Sequence, residues 1–96
     1  MMSCSESSVP VGIISVNKMS EVLKEVHYTE ASIPNSLSSI ETRKLLKARY
    51  NRIFKKFEID KDDFLKSMNY YTNHPEKLDL IYQKIIDSVN QDDLIN

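Results

Sequence analysis

Residues 57–89, FEIDKDDFLKSMNYYTNHPEKLDLIYQKIIDSV, decide the fold. Two amphipathic runs stand on either side of His74-Pro75. In the first, Phe64, Leu65, Met68 and Tyr71 recur at steps of one, three and three, which places them on one helical face. In the second, Leu78, Ile81, Tyr82, Ile85 and Val89 do the same. Tyr70 and Leu80 fall off these faces. Asp60 is placed to cap the earlier helix, with Asp62 and Asp63 in its first turn, where the helix dipole favours carboxylates. Proline is tolerated in a first turn because its missing N–H has no intrahelical partner there. The pattern predicts helices over about 61–73 and 75–89.

Upstream, the same reasoning predicts two more. Met19, Val22, Leu23 and Val26 form one stripe of a helix over about 16–32, with Ser15 as N-cap. Pro34 and its small polar neighbours break the pattern. Ser38 with Glu41 three residues on reads as a capping box opening a helix over about 39–57. On that helix Leu46, Tyr50, Ile53, Phe54 and Phe57 share about a third of the wheel, and Leu45 falls among the basic residues opposite. The expected fold is all-α: a small bundle of four helices with a flexible N-terminal tail. The expected domain spans 15–90, behind a tail or tether at 1–14 and ahead of a frayed end at 91–96. Val9, Val11, Ile13 and Ile14 can lie along it as an apolar strap. Four stripes burying one another should close into a solid centre.

Composition narrows the function classes. Ninety-six residues make one domain, and a net charge of −1 gives no whole-molecule attraction to nucleic acid. The charge is unevenly placed: 41–57 holds seven basic residues against the single acid Glu41, which leaves −7 for the rest. A reader helix after the His-Pro turn would carry Glu76, Asp79 and Asp87, which repel phosphate, so no nucleic-acid partner is expected. Lys44, Lys47 and Lys55 are candidate contacts for anionic lipid headgroups. No apolar run is long enough to span a bilayer.

Chemistry-bearing residues are sparse. Cys4 is the one cysteine, and the two histidines, His27 and His74, lie far from it in sequence, so no nucleophile–base pair is expected. Asp60, Asp62 and Asp63 open like a calcium loop, but Leu65 stands where that loop needs glycine. His27 and Glu30 share a helix face without the further ligands a metal requires. No enzyme activity, cofactor or metal is expected. Glu30 sits beside the apolar stripe, so either Arg49 or Arg52 pairs with it or the helix has left the core by that point. Leu45, Tyr70 and Leu80, outside the expected core, are the candidate interaction surface.

The run Asp63-Phe64, Ser67, Tyr70-Tyr71, His74-Pro75-Glu76, Leu78, Ile81-Tyr82 and Ile85 resembles a domain-of-unknown-function family, number 4296, of small helical Bacteroidota lipoproteins. Pro10, Gly12, Met19, Val22-Leu23, Val26-His27 and Glu30-Ala31 extend the resemblance towards the N-terminus. It implies an exported lipoprotein, lipid-anchored in the cell envelope on a periplasmic or surface face. Cys4 would be the lipidated residue and Ser5 to Ser8 the tether. Met1 to Ser8 lacks the apolar core of a signal peptide, so under that resemblance the chain is either trimmed or not exported. The expectation is a non-enzymatic domain that meets an envelope protein while a lipid anchor holds it at the membrane. The alternative is a chaperone-like or peptide-binding module with Met68, Tyr50, Tyr71 and Tyr82 around an apolar groove.

Overall fold

A computed structural model describes residues 9–95, with side chains as far as 91. Four helices follow one another: α1 (Val16–Ala31), α2 (Ser39–Lys56), α3 (Lys61–Thr72) and α4 (Pro75–Ile95). The chain is an all-α bundle, and its helix starts lie where local chemistry sets them. The Ser15 hydroxyl accepts from the Lys18 N–H at 3.2 Å. At Ser38 the capping box is complete: the Glu41 N–H donates to Ser38 Oγ at 3.1 Å, and the Ser38 N–H donates to Glu41 Oε1 at 2.9 Å. Each satisfies a backbone donor that the helix itself leaves unpaired. Asp60 occupies the N-cap of α3, but its side chain makes no capping bond. The fourth helix continues past Val89 to Ile95, well beyond the expected start of fraying at 91.

The turn between α2 and α3 is made without glycine. The Ile59 N–H donates to the Phe54 carbonyl at 2.9 Å and the Glu58 N–H to the Lys55 carbonyl at 3.2 Å. This is a Schellman ending, and it puts Glu58 at φ 57°, a conformation L-residues adopt at a cost. The lone glycine serves a different turn. Gly12, at φ 91°, is the third residue of a tight turn closed by the Ile13 N–H on the Pro10 carbonyl at 3.2 Å.

The core is Ile14, Val16, Met19, Leu23, Tyr71 and Ile81. Packing therefore begins before residue 15. Val9 and Ile13 lie partly buried on the cluster and Ile14 is inside it, whereas Val11, expected in the same strap, points fully into solvent at the turn; 9–14 thus pack on the domain through three of the four apolar residues. Ser67, on α3, is fully buried and accepts the Ile14 N–H at 2.8 Å; the Tyr71 hydroxyl donates to the Ile14 carbonyl at 2.7 Å. One peptide strand is thus gripped at both its polar groups by the same helix.

The four stripes do not close into one solid centre. α1 packs on both α4 and α2, and α3 packs on α4. α2 buries only Ile53. Its seam with α1 is largely polar: the Tyr50 hydroxyl donates to Glu30 Oε2 at 2.6 Å, Arg49 Nη1 donates to Ser32 Oγ at 2.7 Å, and Lys56 pairs with Glu25. α1 has indeed left the core by Glu30, and the partner of that carboxylate is a tyrosine, not an arginine. The radius of gyration is 15.0 Å, against about 12 Å for a compact chain of this length. The wheel expectations shift accordingly. Leu65 and Tyr82 are exposed, while Leu80 and Tyr70, expected outside, are half-buried against the core.

Candidate functional site

The loosely covered α2 leaves a groove of about 990 Å³ along its junction with α3. Its floor is apolar: Leu37 from the linker, Leu46, Tyr50 and Phe54 from α2, Phe64 and Leu65 from α3. Phe54 and Phe64 meet at 5.2 Å between ring centroids, tilted by 40°, and hold the two helices together at one end. Leu46 lies two turns away from Phe54 and is half-buried, and Leu65 is the exposed apolar residue of the floor. Arg43, Lys47 and Lys61 supply the charged part of the lining, and all three are exposed. No acidic residue lines it. The site is a hydrophobic trough with a cationic lip, large enough for a row of side chains.

Tyr50 lines the trough with its ring while its hydroxyl is turned to α1. Partial burial, then the Glu30 carboxylate that accepts its hydrogen bond, push its pKa up to about 12. It presents a neutral ring to the trough and spends its hydroxyl on α1. Tyr71 is likewise raised to about 12, by burial and then by neighbouring Tyr70, but it belongs to the strap and the core. His74 shows the same structural use of a polar group. Its Nδ1 bonds the Tyr70 carbonyl at 2.7 Å and its ring stacks on Tyr70 at 4.1 Å, closing the His-Pro turn.

The residues singled out from sequence are scattered relative to this trough. Lys47 is on its lip; Lys44 and Lys55 are exposed elsewhere on α2. Leu45, Tyr70 and Leu80 are half-buried and none of them lines it. Of the tyrosines offered for an apolar groove, only Tyr50 is there; Tyr71 is fully buried, and Tyr82 is exposed on α4. Cys4 lies outside the described residues. His27 and Glu30 are both exposed, and among the described residues no three His, Cys, Asp or Glu side chains gather to hold a metal ion. No described helix is long and apolar enough to cross a membrane. The signal for the groove was present in the sequence as the α2 stripe, but the stripe alone reads as core.

The fold and the trough together define a small all-helical domain that carries an uncovered apolar surface. The family model for Domain of unknown function (DUF4296) matches residues 10–93, nearly the whole described chain, and the protein belongs to that family. No curated protein and no solved structure matches it.

Proposed function

We propose that this protein is a non-enzymatic interaction domain of the cell envelope. It receives an apolar, acid-flanked helix of a protein partner in the α2–α3 trough, and a lipid on Cys4 keeps it at the membrane. The observation that carries the interaction reading is the trough itself, with a floor of leucine and aromatic side chains under a lip of Arg43, Lys47 and Lys61. Helix-in-groove docking uses this combination: apolar anchors at three- and four-residue spacing give affinity, and flanking charge selects the partner. The tether rests on the resemblance of the sequence pattern to small lipoproteins and on the single cysteine, Cys4, in the N-terminal stretch. The tether would leave the trough free to face a neighbouring protein.

A synthetic helical peptide tests the docking. One peptide carries leucine or phenylalanine at i, i+3, i+4 and i+7 with glutamates beside them; a second has lysines instead. Isothermal titration should give micromolar binding for the acidic peptide and at least tenfold weaker binding for the basic one. The affinity should fall as salt rises. Equal binding of both peptides would refute a charge-selective site and favour the chaperone-like reading, in which any apolar segment is accepted. The tether is tested by labelling the full-length gene product in its host with a clickable fatty acid. The label should be absent from the Cys4→Ser variant, and an unlabelled native protein overturns the anchor.

A further inference from the structure

The chain itself displays a surface of the kind the trough would take. On the outer side of α4, Tyr82 and Ile86 are 43% and 52% exposed, one turn apart. Asp79 and Asp87 stand exposed along the same helix, and Gln83 Nε2 donates to Asp87 Oδ1 at 3.0 Å, holding that carboxylate along the helix. Tyr82 and Ile86 are apolar anchors with acid beside them. The trough offers Leu46, Phe54 and Leu65 under Arg43 and Lys47. The charge of the whole chain divides in the same way, since the basic surplus is confined to the α2 segment and the remainder is acidic.

We infer that the trough is occupied by the outer face of α4 from a second copy of this chain, so that the domain self-associates through α2–α3 against α4. The inference rests on the trough being a docking site and adds the identity of its occupant. Three observations favour a second copy. Both halves of the contact lie at the surface of one molecule, their charges are opposite, and Leu65 in the trough and Tyr82 and Ile86 on α4 stay in water unless covered. The two surfaces differ: a reciprocal exchange of α4 faces about a two-fold axis gives a closed, isologous pair, whereas a one-way contact is heterologous and propagates. An anionic membrane is the competing occupant. It would draw on Lys44 and Lys55, which the trough does not include, and it would have no use for Asp79 and Asp87.

Sedimentation velocity on the full chain in reducing buffer, so that Cys4 cannot pair, tests this across a hundredfold concentration range. The wild type should pass from monomer to a larger species. Arg43→Glu/Lys47→Glu and Asp79→Lys/Asp87→Lys should each weaken association at least tenfold, while far-ultraviolet circular dichroism shows both folded; these sites are exposed, so folding should survive. An equimolar mixture of the two variants should recover association, because reversed acid then meets reversed base. A wild type that stays monomeric, or a mixture that does not recover, overturns the inference. The acidic peptide separates the two levels: a monomer that still binds it loses only the second copy, whereas a monomer that binds neither loses the trough as well. A monomer that pellets with phosphatidylglycerol vesicles, but not with phosphatidylcholine vesicles, assigns the surface to lipid and overturns the inference.

Discussion

Replacing Ser67 with alanine should detach the N-terminal strap. The Ser67 hydroxyl is fully buried and receives the Ile14 N–H at 2.8 Å; without it that donor is left in an apolar surrounding. A buried donor stripped of its partner costs about 1–3 kcal/mol. Tyr71→Phe leaves the Ile14 carbonyl without the hydroxyl that donates to it at 2.7 Å, with a cost of the same order. The two bonds hold one residue, so the costs should not add. Once either is lost the strap can lift and rehydrate, and the double variant should fall short of the sum by about 1 kcal/mol, within the range for residues in one network. A chain of this size has roughly 5–14 kcal/mol of stability in total, so either change removes a visible share. Urea unfolding followed at 222 nm should show each midpoint lowered by about 1–3 M for a slope near 1 kcal/mol/M. Proteolysis should then cut near Val11, which is already fully exposed, faster than in the wild type. An unchanged midpoint for Ser67→Ala, or strict additivity in the double variant, would refute the clasp.

Other substitutions probe the remaining local features. Glu58→Gly should stabilise: it relieves the left-handed conformation, worth about 1–2 kcal/mol, at a backbone-entropy cost of about 0.5–1 kcal/mol. A rise of a few degrees in Tm is expected, and a fall would show that the Glu58 side chain does something the geometry does not reveal. Ser38→Ala should cost about 1 kcal/mol by removing the cap of α2, read as a lower urea midpoint. The Ser38 backbone N–H and hydroxyl hold the Glu41 carboxyl below its ordinary pKa, so its contribution is present above that ordinary value and is lost as pH falls through the lowered one. Tyr50 and Tyr71 have the opposite sign. Their folded pKa values of about 12 lie above the usual 10, so the stability they contribute is complete below pH 10 and disappears as pH rises towards 12. Absorbance at 295 nm should show two tyrosines ionising late, together with unfolding; five tyrosines titrating near pH 10 in a folded protein would contradict this.

What was legible in the sequence was local. Ser15, Ser38 with Glu41, and Pro75 each act within one helical turn of themselves, so the starts of α1, α2 and α4 follow from neighbouring residues, while α3 begins after Asp60 without a side-chain cap. The end of α4 was less legible, because Asn90 to Asp93 carry no breaker and nothing local stops the helix before Ile95. The role of Ser67, named only within the family pattern, was not legible for a related reason: a serine in mid-helix reads as neutral until a strap from 53 residues away brings it an N–H to accept.

The periodicity of 3.6 determined the direction in which each stripe faces on its own helix, and with it the all-helical class. It could not determine which stripe meets which. That was decided in the tertiary structure, where the later part of α1 offers α2 polar side chains in place of a greasy face. The turn at Glu58 then leads into an α3 that packs on α4 and covers only the Phe54 end of α2. A helix pattern is a property of angles along one axis, whereas a groove is the space left between two axes, and no residue carries that distance by itself.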